Sequence, residues 1–221
     1  MGESNEDSLF RLDTELKKHK IMSMDENKRQ RVLDAAMEEF VKGYQKASTD
    51  NIVRNSGISK GLLYHYFGTK KDLFLFLLKY SLKIISEEYQ KETFNSTNFL
   101  DDVWKLSLTS TNLSMKYPLL YKFITSAYFS MQKEFPEETL NGYSNPVDNI
   151  LKTSLKNIDP SLFRNDVDIE KACNMMLWII RGYSESLKKY GQKLEDYAPH
   201  YESIKKELAE YITMLRKMFY K

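Results

Sequence analysis

Apolar residues recur three or four positions apart along nearly the whole chain, the spacing that gives a helix one buried face. Leu33, Ala36, Met37, Phe40 and Tyr44 form the first strong stripe, widened by Val32 and Val41. Arg29, Arg31, Asp34, Glu38 and Glu39 take the opposite face. Gly43 falls where a C-terminal cap would end that helix. Ser48, Thr49 and Asp50 offer N-caps for a short second helix through Ile52 and Val53, which Gly57 stops. Ser59 then caps a third, from Lys60 to Phe67, ended by Gly68. Thr69 and Asp72 have the spacing of a capping box, with Asp in place of the usual Glu. They open a long helix that carries Leu73, Phe76, Leu77, Tyr80, Ile84 and Ile85 to about Lys91.

Outside that region the pattern stays helical. Leu9, Leu12 and Leu16 make a narrow stripe in the polar residues 1–24. Two readings stay open there: a frayed extension, or a short helix docked on the body. Asn98 and Asp101 cap a helix through Trp104 and Leu113, and Tyr117-Pro118 breaks it. Phe135-Pro136, Asn145-Pro146 and Asp159-Pro160 punctuate the chain further, the last two as N-cap followed by Pro. A long helix is expected from Asp166 to Tyr190, capped by Gly191, and a last one from about Pro199 to Phe219. With no strand-like alternation, the fold class is all-α: a three-helix N-terminal domain joined by a long helix to a larger helical domain. The boundaries read from the pattern are an extension at 1–24, a first domain at 25–72 and a second at 73–221.

Composition sharpens this. Eight glycines and five prolines in 221 residues leave few turns, as long helices require. The single Cys173 excludes an internal disulfide framework, and His19, His65 and His200 are too scattered for a metal site. No cofactor is expected. The longest uninterrupted apolar runs, Leu73–Leu78 and Met175–Ile180, fall far short of the roughly 20 residues that span a bilayer. The first residues lack a signal peptide's basic and apolar regions, so a cytoplasmic location is expected.

Net charge is only +2, so any nucleic-acid surface must be local. Between Ile52 and Lys71 lie Arg54, Lys60, Lys70 and Lys71 and no acid. Two short helices joined by Gly57-Ile58-Ser59 have the helix-turn-helix plan, in which the second helix enters the major groove. Leu63 and Phe67 would anchor that helix, leaving Lys60, Gly61, Tyr64 and His65 on the other side. Lys70 sits in the first turn of the next helix, where free N–H groups favour phosphate.

These residues carry a resemblance. Val32-Leu-Asp-Ala-Ala, Phe40, Gly43-Tyr, Ser48-Thr-Asp-Asn-Ile and Ser56-Gly-Ile-Ser-Lys-Gly-Leu-Leu-Tyr-His-Tyr-Phe-Gly-Thr-Lys-Lys-Asp-Leu resemble the DNA-binding domain of the tetracycline-repressor (TetR) family over about residues 28–75. The resemblance implies a homodimeric, ligand-responsive repressor bound to a pseudo-palindromic operator. It implies DNA contacts from Thr49, Ser59, Lys60, Gly61, Leu62, Tyr64, His65, Tyr66 and Lys70, and a dimer interface on the last two helices. Leu62 departs from a frequent Thr or Ser, and Asp50 stands where some members carry a base-reading Arg.

Residues 95–221 contain no catalytic motif. Their aromatic and Met-rich helices suggest a cavity for an apolar or amphipathic effector, with Trp104, Tyr117, Tyr128, Met131, Met175, Trp178 and Tyr183 as candidate lining and Arg181 as counter-charge. Met175–Ile180 is apolar nearly all round, as burial on two sides requires. The alternatives are an all-α enzyme, or a small-molecule-binding adaptor with no role on DNA.

Overall fold

A computed structural model describes residues 5–135, 146–186 and 200–221. Pro136, Asn145, Tyr190, Gly191 and Pro199 lie outside the described residues. Two compact units emerge: residues 1–90 with 117–146, and residues 91–116 with 147–221. This grouping differs from the sequence boundaries, because helices distant along the chain share one core.

The first unit holds α1 (Asn5–Lys17), a 3₁₀ turn at Lys20–Ser23, α2 (Glu26–Phe40), α3 (Thr49–Ser56), α4 (Lys60–Phe67), α5 (Lys70–Gln90) and α7 (Pro118–Glu134). Val32, Leu33 and Phe40 of α2, Ile52 of α3, Leu63 of α4 and Leu73, Phe74 and Leu77 of α5 are buried together. Phe123 of α7 joins them, 6.4 Å from the Phe40 ring and 6.0 Å from that of Phe74. Residues 5–24 prove to be a docked element. Leu12 and Leu16 are each 3% exposed, while Lys79 and Lys83 of α5 pair with Glu15 and Asp13. The stripe was legible; its partner was not.

The second unit holds α6 (Phe99–Lys116), α8 (Pro146–Lys156), a 3₁₀ turn at Pro160–Leu162, α9 (Ile169–Ser186) and α10 (Tyr201–Phe219). Buried Asp102 accepts from Ser154 Oγ at 2.7 Å and from the Ser96 amide at 3.3 Å. Phe163 and Tyr220 form an isolated antiparallel bridge that ties the C-terminus to the loop before α9. Two boundaries differ from expectation. Asp159 does cap its Pro, taking the Ser161 amide at 2.8 Å, but only one 3₁₀ turn follows. α9 begins at Ile169, not Asp166: Asp168 caps it by accepting from the Lys171 amide, while Asp166 pairs with Arg164. No described helix is long and apolar enough to cross a membrane.

Candidate nucleic-acid interface

Local chemistry builds the helix-turn-helix. Ser48 Oγ accepts from the Asn51 amide and starts α3. Gly57 ends it at φ +70°, a left-handed conformation that side chains disfavour. Ser59 Oγ accepts from the Leu62 amide and starts α4 after three residues. At the far end Gly68 has φ +74°, and an added Cβ would sit 3.2 Å from Asp72 Oδ2. The capping box forms as expected: Asp72 Oδ2 accepts from the Thr69 amide, and Thr69 Oγ1 from the Asp72 amide.

α4 is held at both ends of its buried face. Leu63 and Phe67 are buried. The His19 ring stacks 5.3 Å from Phe67 and lies 4.3 Å from Phe76. Lys60, Gly61, Tyr64 and His65 are exposed on the outer side. An added Cβ at Gly61 meets nothing within 4 Å, so the fold does not require glycine there. A bare backbone on this exposed face leaves room for another chain to approach closely.

The other expected contacts are placed less uniformly. Thr49 Oγ1 lies 3.3 Å from Tyr64 OH, so these two hydroxyls form one polar site across α3 and α4. Ser59 accepts a backbone bond and keeps its hydroxyl proton to donate. Leu62 and Tyr66 are half-buried against the core and present only an edge. The Lys70 ammonium lies 4.6 Å over the Tyr44 ring, and its burial there lowers its pKa. Asp50 Oδ1 stands 2.7 Å from Lys60 Nζ, and this carboxylate raises the Lys60 pKa.

Two supports of the interface had no signal in the sequence. The first is Glu39, buried at the end of α2. It pairs with Lys42 and accepts from the Ser48 amide at 3.1 Å, fixing the start of α3. Burial pushes its carboxyl up, but Lys42, the Ser48 amide and Asn51 together pull it below its ordinary 4.5. A depressed carboxyl contributes stability above the unfolded pKa and loses it as pH falls through the folded one. Glu39→Gln should therefore cost about 1–3 kcal/mol near neutral pH. That deficit should shrink below about pH 4.5, as urea midpoints measured across the acid range will test.

The second support is α7. Ser126 Oγ donates to Phe40 O at 3.1 Å, and Ser130 Oγ accepts from the Tyr44 amide at 3.3 Å. Gln45 donates to Glu134. The turn between α2 and α3 is thus bonded to a helix more than eighty residues away.

The candidate effector residues belong to both units: Tyr117, Tyr128 and Met131 to the first, and Trp104, Met175, Trp178 and Tyr183 to the second. Trp104 is half-buried on α6, and Tyr117 OH donates to Glu88 Oε1 at 2.8 Å. Met131 packs against the first unit's core, whereas Tyr128 is exposed. Met175 and Trp178 are exposed on one face of α9, and Arg181 is exposed too. Tyr183 is buried on another face of α9, its hydroxyl donating to Ile204 O at 3.0 Å. Tyr183 therefore joins α9 to α10, while Met175 and Trp178 face solvent. Helical phase separates residues that apolar character alone had grouped. Among the described residues, no group of three or more His, Cys, Asp and Glu could hold a metal ion.

Comparison with known proteins agrees with this geometry. Residues 32–77 match the model of bacterial regulatory proteins of the tetR family. The HTH-type transcriptional regulator QacR of Staphylococcus aureus is 32% identical over 106 residues, which cover 46% of this chain and 56% of that protein. The match thus spans about half the length of this curated relative. A TetR family transcriptional regulator from Chloroflexus aurantiacus superposes with a TM-score of 0.68 at 17% identity, over 91% of this chain and 97% of the other. A putative tetR family regulator from Shewanella sp. PV-4 gives 0.55 at 18%, over 88% and 98%. At such identities these structures establish the fold.

Proposed function

We infer that this chain, which belongs to the tetR family of bacterial regulatory proteins, is a repressor that binds a pseudo-palindromic operator as a dimer and is released by a small apolar or amphipathic effector. The observation that carries this is the outward display of Lys60, Gly61, Tyr64 and His65 on a helix whose other side is buried. An 8-residue helix is roughly 12 Å long, which suits a major groove of about that width. The members of this family are transcription regulators rather than enzymes.

A second copy of the chain is the partner that best fits the outer faces of α9 and α10. Trp178 is 67% exposed beside Met175 on α9, and Met214 is 59% exposed beside Met218 on α10. Their spacing of three or four residues makes a stripe on each helix, distinct from the buried stripes of Met176 and Ile180 or Leu208 and Ile212. Two such pairs would close a four-helix interface, and a two-fold dimer carries one α4 for each half-site of a pseudo-palindrome.

Release follows from the bonds between α7 and the α2–α3 turn. An effector that favours a different seat for α7 shifts Thr49 and α4 with it. It weakens operator binding only by its differential affinity for the two states.

The test is binding to duplex DNA from upstream of the protein's own gene, measured at several salt concentrations. Saturable binding to one site that falls steeply with salt is expected. Equal, weak binding to every duplex would overturn the reading. Trp178→Asp should weaken self-association by about a hundredfold in sedimentation, since it removes a large apolar contact from both protomers and buries a charge. Unchanged association would move the interface elsewhere.

A further inference from the structure

Between Thr49 and Lys71 the sequence has one acidic residue, Asp50. It lies in the first turn of α3, with Lys60 in the first turn of α4, and their side chains are 72% and 56% exposed. An ion pair this open to water adds almost nothing to folding. Nor does it help a protein approach phosphates, which Asp50 repels. Its place suits base edges instead. Lys60 only donates hydrogen bonds and Asp50 only accepts them, and they stand 2.7 Å apart. On the major-groove edge of a G·C pair, G O6 accepts and C N4 donates. These two atoms are bonded to each other and so lie about 2.9 Å apart. The ion pair and the base-pair edge are complementary in both polarity and spacing.

We propose that Asp50 and Lys60 act together as one base-pair reader, requiring a keto base under Lys60 and an amino base under Asp50, with G·C preferred to T·A. This rests on the reading of residues 49–70 as a duplex-DNA interface. The order follows from the groove pattern. G offers Lys60 a second acceptor at N7, where T presents a methyl group. C shows Asp50 only a donor, whereas A adds the N7 acceptor, which repels a carboxylate. In the reversed pairs C·G and A·T, Lys60 faces a donor and Asp50 an acceptor, so both are rejected. A lysine alone finds acceptors on either strand. The carboxylate decides which strand carries the keto base.

The experiment is selection from a randomised duplex library by the full chain and by its Asp50→Asn and Asp50→Ala variants. It is followed by affinities for the selected site carrying each of the four base pairs at the position in question. The wild type should show one position per half-site ordered G·C, then T·A, then the reversed pairs, with about tenfold or more between G·C and C·G. Asn donates and accepts, and pairs with A through N6 and N7, so Asp50→Asn should move the ratio toward T·A by about tenfold. Asp50→Ala should level the keto-versus-amino distinction. Identical base preference in all three proteins overturns the proposal. So does a uniform gain in affinity for all four pairs, since Asp50 would then act only as a repulsive charge. A wild-type chain that enriches no sequence overturns the interface reading itself, and this proposal with it. Thermal melts of the variants should match the wild type, because both side chains are exposed.

Discussion

Alanine at Lys60, Tyr64 and His65 together should lower operator affinity by about a thousandfold while leaving the fold intact. All three side chains are exposed, so none contributes to the core. Each is placed to donate to phosphate or to a base edge, and a dimer loses every such contact twice. Six contacts at about 0.7 kcal/mol each, within the net range of single hydrogen bonds, sum to the roughly 4 kcal/mol of that factor. The slope of log affinity against log salt should change little, because Lys60, the one lysine among them, is assigned to a base edge and not to a phosphate. Gel-shift or anisotropy titration at two salt concentrations measures both. Retention of wild-type affinity would remove α4 as the reading helix. Lys70→Ala should behave differently, weakening all sequences alike and reducing the slope by about one per protomer. Its ammonium rests on Tyr44 beside the N-terminus of α5, which places it for backbone contact rather than base contact.

Phe123→Ala should cost about 3–5 kcal/mol of stability, the range for removing a fully buried phenylalanine. Phe123 is wholly buried against the rings of Phe40 and Phe74, so its loss leaves a cavity where α7 meets α2 and α5. It should also loosen the bonds from Ser126 and Ser130 to the α2–α3 turn. Urea unfolding gives the first effect. Hydrogen exchange at residues 41–48 gives the second, and unchanged protection there would mean that α7 does not steady the turn. Phe123→Leu, which fills more of the space, should recover part of the stability.

The interface was legible to different depths. Ser48, Gly57, Ser59, Gly68 and the Thr69–Asp72 pair act within one turn of helix, so their order along the chain already states the structure. The same rules misplaced the start of α9, where Asp159, Asp166 and Asp168 all resemble caps. The helix took the one followed by an uninterrupted apolar period, while Arg164 claimed Asp166. Asp50 was visible as a departure from the family pattern. Its pairing with Lys60 was not, because the nine residues between them include the turn that sets their distance.

By itself the sequence determined an all-helical chain, the helix-turn-helix and its outward residues. Caps, glycines and apolar periods act between residues three or four apart. The tertiary structure alone decided what each apolar face meets: α5 for Leu12 and Leu16, the Phe40–Phe74 pair for Phe123 and α10 for Tyr183, while Trp178 stays largely exposed. Periodicity reports that a face is apolar. Which surface covers it depends on shape and hydrogen-bond partners as far as 120 residues away, and no local pattern encodes those.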